Sequence, residues 1–479
     1  MMRRILIIIL FLGSVRVEAR KGGTPSLGGR LTAEVRPALY AITMVMVHDV
    51  VDPPAASRYY SYITLAAYDL VARHDRAMAP PAAFIRSYPA DPVGRGGDDR
   101  MAGAGDDRVA AGDDGRIAAA GDGRISAGDG DYRIAAVYAI LETGRQMLPS
   151  GYLLEKEERQ FVSKLHKWGV PQRVVDRSLA AARVVVQKEI GFAEEDRYNL
   201  LSAKLRYTPL KTDSAWYPTP PSYLEAIEPN WRIIRPMIID SPDQFIPPPL
   251  TSFSKDTASA FYRLAMEVYR ISKDTGAKSM YERTIAGFWD CNPFAIATSG
   301  HMMIGLKKMS PGGHWMDIAG NAAAVAGLGF DKTVEAETLV AVTLMDGFIS
   351  AWDEKYRSNR LRPETYIDRY IDPRWQPYLQ TPPFPEYTSA HSVISSAAAQ
   401  VLTYLFGDRI DYTDNAEELF DIKPRTFHSF REAAAEAAIS RLYGGIHYRD
   451  AVVNGQTEGI ALGKCIVGRL RAAGVKPVR

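Results

Sequence analysis

Three stretches in the last third of the chain decide the fold: Lys355–Pro363 (KYRSNRLRP), Thr388–His391 (TSAH) and Ser440–His447 (SRLYGGIH). Their polar residues are Lys355, Arg362, Ser389, His391, Arg441 and His447. Arginine binds phosphate-like oxyanions through a bidentate fork, lysine adds a point charge, and backbone N–H groups fill the remaining acceptor positions. Of the two histidines, one can attack or ligate the central atom of such an anion and the other can move protons near neutral pH.

Local signals place these stretches at the ends of helices. A helix predicted at Thr333–Asn359 ends before Arg362, because the residue preceding a proline is disfavoured in a helix. The TSAH stretch precedes a helix predicted at Ala390–Phe406, whose first turn offers free N–H groups to an anion. Gly444 and Gly445 end the helix predicted at Thr426–Tyr443 and allow the chain to reverse. The three stretches are therefore predicted to meet at one site.

In this order and combination the motifs resemble those of the vanadium-dependent haloperoxidase and type-2 phosphatidic acid phosphatase superfamily, in its soluble, haloperoxidase-like branch. The resemblance covers residues 200–479 and implies a set of oxyanion-binding residues: Lys355, Arg362, Ser389, Ala390 through its N–H, and Arg441. It also implies two catalytic residues. His447 is the vanadium ligand of a peroxidase or the phosphorylated nucleophile of a phosphatase, and His391 is the acid–base residue.

The resemblance extends to residues around this set. It places Trp352 and Phe384 beside a halide pocket, although both can equally be core aromatics. It suggests that Asp290 pairs with Arg441 and that Asp450 follows the last histidine as an orienting acid. His314 is either a second acid–base residue or a structural histidine. The chain departs from the family's usual Pro-Ser-Gly-His at Thr388–His391, since Ala390 cannot adopt a positive φ cheaply.

The overall pattern predicts a mainly α fold. The resemblance implies a helical bundle like those of vanadium haloperoxidases and acid phosphatases, with an N-terminal helical half and a C-terminal catalytic bundle. At 479 residues the chain exceeds the size of one ordinary core, about 250–300 residues, so subdomains or one large helical body are expected. The predicted segments are an N-terminal helical region at 20–205, a Pro-rich extended connection at 206–253 and the catalytic bundle at 254–479. Residues 20–35 are predicted to be a flexible leader, and a Gly/Asp/Arg-rich low-complexity insertion is predicted at 93–133.

The N-terminus has the pattern of a secretory signal peptide. Arg3 and Arg4 precede the apolar run Ile5–Leu12, and Val17-Glu18-Ala19 supplies a small-residue cleavage pattern. The apolar run is too short for a membrane span, which needs about 20 residues, and no later stretch qualifies. The mature chain is thus predicted to start after residue 19, to have no transmembrane segment and to be periplasmic or secreted.

These observations favour an exported haloperoxidase that uses vanadate, hydrogen peroxide and a halide. A soluble acid phosphatase remains an alternative, needing no cofactor and acting on a phosphomonoester through a phosphohistidine, as does an inactive member of the superfamily. A net charge of +2 argues against nucleic-acid partners. The two cysteines, Cys291 and Cys465, are either a disulfide or free thiols, and no Cys/His zinc spacing exists. A homodimer is left open.

Overall fold

The computed structural model describes residues 25–89, 130–220, 223–299, 302–305 and 308–478. The signal peptide predicted at 1–19 and most of the insertion predicted at 93–133 lie outside these ranges. Thirteen α-helices are present in the described residues: α1 Leu27–Asp49, α2 Pro53–His74, α3 Tyr132–Met147, α4 Glu155–Lys167, α5 Gln172–Glu194, α6 Ala260–Lys273, α7 Ala277–Phe288, α8 Pro311–Val325, α9 Phe330–Ser358, α10 Pro363–Tyr370, α11 Ala390–Phe406, α12 Phe430–Tyr443 and α13 Arg449–Ala472.

Two short antiparallel hairpins complete the described structure. Strand β1 (Ile296–Ser299) pairs with β2 (Met302–Gly305), and β3 (Tyr412–Asp414) pairs with β4 (Arg425–Phe427). The mainly α fold class is therefore confirmed.

Helix starts differ from the predicted ones where a capping side chain is present. Ser26 caps α1 by accepting from the Gly29 N–H, so the region after residue 26 is helical and the predicted flexible leader is wrong there. Ser310 caps α8, so this helix begins at Pro311, four residues before the start that the sequence predicts at Trp315. Asp131 caps α3, so the insertion cannot extend to 133 as predicted. Such hydrogen bonds satisfy the free N–H groups of the first helical turn.

Helix α9 forms the centre of the molecule, and nearly its whole length is buried. It packs against α2 from the N-terminal half and against α8, α11 and α13 from the C-terminal half. One hydrophobic cluster contains Tyr60 of α2, Leu344 of α9 and Val401 of α11, so the regions predicted at 20–205 and 254–479 share a core.

The Pro-rich segment contains no α-helix between residues 204 and 259 in its described part. It is fixed to α9 by the buried carboxylate of Asp346, which accepts from the N–H groups of Met237, Ile238 and Ile239 at 2.7, 2.7 and 2.9 Å. The irregular connection therefore lies along the central helix. Among the described helices, none combines the length and apolar character of a membrane span.

A stripe of glycines on α13 lets this helix lie unusually close to α11. A Cβ at Gly459 would lie 2.1 Å from the Val393 carbonyl oxygen, and one at Gly455 would lie 2.9 Å from the Ser389 carbonyl oxygen. The close contact fixes the N-terminus of α11 beside the start of α13. This is where the second and third motif stretches meet.

Candidate active site

Three cations of the motif stretches are buried close to one another. Lys355 and Arg362 are fully buried and Arg441 is 2% exposed. Among the described residues, none of the three forms a salt bridge with a carboxylate, and Nη2 of Arg362 and Nε of Arg441 are buried without any hydrogen-bond partner. Buried positive charge without an anion is unfavourable, so this arrangement is suited to an anionic ligand.

Backbone carbonyls hold the two guanidinium groups in place. Arg362 donates from Nε to the Phe384 carbonyl at 3.0 Å and from Nη1 to the Ile446 carbonyl at 2.9 Å. Arg441 donates from Nη1 to the Trp289 carbonyl at 2.8 Å. Burial and the neighbouring cation Arg441 lower the pKa of Arg362 to about 9. Each guanidinium thus keeps free N–H groups while its position is fixed.

His447 presents an unprotonated Nε2 to this group of cations. Arg362 donates to that nitrogen at 3.0 Å, while Nδ1 of His447 lies 2.8 Å from Oε1 of Glu386. The proton therefore resides on Nδ1, where the carboxylate fixes the tautomer. Burial and the Arg362 and Lys355 cations hold the pKa of His447 well below its usual value. The neutral ring can accordingly bind a metal or attack a central atom through Nε2.

Glu386 was missed by the sequence analysis, and it takes the orienting position considered for Asp450. Asp450 instead accepts two hydrogen bonds from Arg360 at 2.8 Å each, and Arg360 also donates to Glu386 at 2.6 Å. An orienting role of Asp450 on His447 is therefore wrong. Asp450 instead holds Arg360, which in turn contacts Glu386. In the sequence, Glu386 is simply one residue of the Pro-rich run 381–387. That position gives no indication of an orienting role.

His391 lies in the first turn of α11, and its Nε2 has no hydrogen-bond partner. Burial and the Arg441 and His447 side chains lower its pKa well below the usual value. His391 lines one small cavity, about 30 Å³ in volume, together with residues of the second and third motif stretches and two aromatic rings: Trp352, Phe384, Ala390, Arg441 and His447. A neutral imidazole in this position can accept a proton.

Lys355 and Ser389 are less available for direct contact with an oxyanion than predicted. The ammonium group of Lys355 donates to three carbonyls of the segment 385–388, which leads into the second motif stretch: those of Pro385 and Glu386, each at 3.2 Å, and that of Thr388. All three of its N–H groups are engaged, so it supplies charge and shapes the loop. Ser389 Oγ caps α11 by accepting from the Ser392 N–H at 3.3 Å, which leaves its own hydrogen available.

Ala390 is the first residue of α11 and is absent from the residues with positive φ. The turn therefore needs no glycine, and the departure from the family's usual sequence leaves the N–H group of residue 390 in the helix N-terminus. The concern that alanine would strain this turn does not apply.

Trp352 and Phe384 form the apolar wall of the cavity, with ring centroids 4.9 Å apart. Nζ of Lys355 lies 5.2 Å from the Phe384 centroid, and the Arg362 guanidinium carbon lies 5.0 Å from it. Their placement beside the cations agrees with the predicted halide pocket, and that role stays a prediction.

Two further predicted residues have other hydrogen-bond partners than the proposed oxyanion-binding set, here called the oxyanion cage: Lys355, Arg362, Ser389, Ala390 and Arg441. Asp290 accepts from Lys308 at 2.6 Å and forms no direct salt bridge with Arg441, but its charge acts on Arg441 and partly offsets the decrease in pKa that burial causes there. Both ring nitrogens of the fully buried His314 are engaged, since Nε2 lies 2.8 Å from Asp414 Oδ2 and Nδ1 lies 3.2 Å from Cys291 Sγ. The structural interpretation of His314 is the better one. Cys291 and Cys465 are both free thiols.

The residues fit an oxyanion such as vanadate. Two buried guanidinium N–H donors have no partner, Nε2 of His447 faces them, and the N-terminus of a 17-residue helix begins at Ala390. Helix N-termini and arginine forks are established binding groups for tetrahedral anions. His447 would ligate the vanadium through Nε2, and Arg362 and Arg441 would bind its oxygens.

Comparison with known proteins finds similarity to one family. The family model described as the VCPO second helical-bundle domain matches residues 336–473. A crystal structure titled as the first bacterial vanadium-dependent iodoperoxidase is 37% identical, with a TM-score of 0.79, and the match covers 92% of this chain and 96% of that one. No curated protein matches the chain by sequence.

Two further structures share the fold at lower identity. The holo-type bacterial vanadium-dependent chloroperoxidase is 16% identical with a TM-score of 0.61, and the match covers 89% of this chain and 93% of that chain. The apo-type structure is 16% identical with a TM-score of 0.59, and covers 88% and 95%. At this identity they show the fold alone. The 37% identity with the iodoperoxidase over nearly the full length of both chains shows that this protein belongs to the vanadium-dependent haloperoxidase family.

Proposed function

We propose that the protein binds vanadate and uses hydrogen peroxide to oxidise a halide to hypohalous acid. The observation that carries this proposal is the group of three buried cations without a carboxylate partner around Nε2 of His447: Lys355, Arg362 and Arg441. An anion with several oxygens would compensate these charges and take up the free N–H donors. The likeness to the iodoperoxidase supports vanadate as that anion.

Each side chain then has a defined task. Bound vanadate supplies a Lewis acid that polarises hydrogen peroxide. Glu386 keeps the proton of His447 on Nδ1, so that Nε2 stays available as the ligand. His391 accepts a proton from entering peroxide, because its lowered pKa keeps the imidazole neutral at neutral pH and its Nε2 has no hydrogen-bond partner. Trp352 and Phe384 exclude water from the side where a polarisable halide would approach.

The test is a halide panel on the full chain after loading with orthovanadate. Iodide, bromide and chloride are each supplied with hydrogen peroxide and a phenol-type indicator. We expect peroxide-dependent halogenation that falls at least about 100-fold in His391→Ala, as is usual for loss of an acid–base group. His428→Ala is the matched control, because His428 is exposed and lies 2.8 Å from Asp411. A folded, vanadate-loaded protein that oxidises none of the three halides would refute the proposal.

The same Nε2 geometry favours a second candidate, hydrolysis of a phosphomonoester. A neutral imidazole held by a carboxylate at Nδ1 can attack phosphorus as well as it can ligate vanadium. Acid-quenched protein treated with a phosphoester would then carry phosphate on His447 and lose it in His447→Ala. Absence of a phosphohistidine leaves the peroxidase as the activity of the site.

We also propose that the protein is exported, on the pattern of residues 1–19. N-terminal sequencing of the protein from its native host should begin at Arg20. A mature chain that retains Met1 or Met2 would contradict export through this signal.

A further inference from the structure

A second group of ligand-type atoms lies beside the oxyanion cage. It consists of Cys291, His314 and Glu417, here called the Cys291 cluster, and all three residues are buried. Sγ of Cys291 lies 3.2 Å from Nδ1 of His314 and 3.6 Å from Oε1 of Glu417, and those last two atoms are 3.4 Å apart. The three atoms come from separate parts of the chain: the end of α7, the first turn of α8 and the segment after β3.

The triangle has the dimensions of one face of a tetrahedral metal site. Zinc binds thiolate at about 2.3 Å and imidazole or carboxylate at about 2.0–2.1 Å, which places tetrahedral ligand atoms about 3.3–3.6 Å apart. The edges of 3.6 and 3.4 Å lie within that range, and the edge of 3.2 Å lies about 0.1 Å below it. Sulfur, nitrogen and oxygen donors together are a combination that zinc-class ions accept.

The surroundings supply what a metal site needs beyond its ligands. Nε2 of His314 lies 2.8 Å from Oδ2 of Asp414, so a carboxylate can hold the imidazole with Nδ1 free to bind the metal. Oε2 of Glu417 is buried without a hydrogen-bond partner in a residue only 1% exposed. A thiolate and a carboxylate would also balance the two positive charges of the ion, so the ion and its three ligands together carry no net charge.

We propose that Cys291, His314 and Glu417 bind one zinc-class divalent ion, with Asp414 orienting His314. The fourth coordination position is open, as in three-ligand sites. Cys291 also lines the cavity that His391, Arg441 and His447 line. The proposal is independent of the haloperoxidase function, because the oxyanion cage shares none of these ligands.

Such an ion would also position part of the oxyanion cage. Trp289 is two residues before Cys291, and its carbonyl accepts the hydrogen bond from Arg441 at 2.8 Å. The Trp289 ring stacks on His314 with centroids 4.6 Å apart. The ion would therefore tie the segment that anchors Arg441 to α8 and to the segment after β3.

The test is a titration of the full, chelator-stripped chain with cobalt(II) alone, in buffer free of vanadate. Cobalt(II) is a spectroscopic substitute for zinc. We expect one equivalent to bind with thiolate-to-metal charge-transfer absorption and tetrahedral d–d bands, and one equivalent of zinc to remove both signals. Asp414→Asn should weaken the affinity about 10- to 100-fold, as expected for loss of an orienting carboxylate.

The two cysteines provide the matched control. Cys291→Ser should lose the charge-transfer band, and Cys465→Ser should keep it, because Cys465 lies on α13 and contacts Gln244 instead. If Cys291→Ser does not fold, Cys465→Ser still decides, since Cys291 is then the sole thiol of the chain. The proposal is overturned if folded wild type binds no cobalt, or if the band disappears in Cys465→Ser or persists in Cys291→Ser.

Discussion

Among individual side chains, the most informative are those with buried polar atoms that lack a partner. Native structures leave few such atoms, so each calls for an explanation. Here Nη2 of Arg362, Nε of Arg441 and Nε2 of His391 belong to residues from the three motif stretches, and Arg441 and His391 line the same cavity. A bound oxyanion would accept hydrogen bonds from the two guanidinium atoms, and a reactant beside it would pair with Nε2 of His391. Together they would give all three atoms a partner.

Replacing Glu386 with glutamine should weaken vanadate binding about 10- to 100-fold. The carboxylate accepts from Nδ1 of His447 and so keeps Nε2 free, whereas an amide can present its NH₂ group and permit the other tautomer. Calorimetric titration of vanadate measures the change. Asp450→Asn is the matched control, because Asp450 also contacts Arg360 but not His447. Equal affinities of Glu386→Gln and wild type would contradict the assigned role.

Without an oxyanion, the stability of the protein should fall as the pH drops below about 6.5. The pKa of His391 is lowered in the folded protein by burial and by Arg441, so the unfolded chain protonates first. Below the ordinary histidine value of about 6.5 the unfolded state binds more protons, and the free energy of unfolding decreases. A bound anion raises this pKa and should reduce the loss.

Thermal melts between about pH 7.5 and 5, with and without phosphate as a stable oxyanion, measure this effect. The melting temperature should fall more steeply in the phosphate-free samples. His391→Gln should show a weaker dependence on pH than wild type. Identical slopes with and without phosphate would show that the anion does not lie near the histidines.

The sequence predicted which side chains of the proposed oxyanion site come together, but not all of their contacts. Motif order and residue type sufficed for Arg362, Arg441 and His447, because few other structures require those residues together. The engagement of the Lys355 ammonium with loop carbonyls depends on how the segment 385–388 folds back, which no spacing reveals. The contact of Glu386 with His447 and the Cys291 cluster both join segments that are distant in the sequence. Local sequence patterns therefore do not predict them.

Among the helices, the glycine stripe of α13 determines how closely the motif stretches approach. Gly459→Ala should destabilise the protein by about 1–3 kcal/mol, because its Cβ would collide with the Val393 backbone of α11. Gly468→Ala on the same helix is the control. Nothing lies within 4 Å of its added Cβ, and the change should stabilise the helix by about 0.5–1 kcal/mol. Denaturant unfolding measures the free energy of unfolding of both variants. Equal changes in Gly459→Ala and Gly468→Ala would contradict the close packing of α13 on α11.

The N-terminus of α11 supports another prediction. Ala390→Gly should change vanadate affinity by less than about threefold, because residue 390 has no positive φ and keeps the same N–H group. Vanadate titration of wild type and Ala390→Gly in the same buffer measures the difference in affinity. A glycine variant that binds at least about tenfold tighter would show that alanine strains the site after all.

Helix existence was easier to predict than helix starts. Apolar spacing located α9 and α11 within a few residues, because their buried faces run through the core. The starts of α1 and α8 depend on the hydroxyls of Ser26 and Ser310, which occupy the capping position rather than the core. Capping preferences are shared by several residue types and by many loops, so sequence alone places these boundaries poorly.

Across the whole chain, the two predicted halves depend on each other. Helix α9 contacts α2 through the core and through two hydrogen bonds, from Ser61 to the Ala341 carbonyl at 2.9 Å and from Thr338 to the Thr64 carbonyl at 3.1 Å. Residues 254–479 produced alone should therefore lack cooperative unfolding and a near-ultraviolet circular dichroism signal. Co-production with residues 20–253 should restore both. A fragment that folds alone would establish an independent catalytic domain.

The oxyanion cage is tested most directly by calorimetric titration of orthovanadate into the full chain. We predict one vanadate bound per chain, competition by phosphate, and at least about 100-fold weaker binding in Arg441→Gln, which removes a buried charge with a free N–H donor. Folded wild type that binds no vanadate, or an Arg441→Gln variant that binds as tightly as wild type, would contradict it.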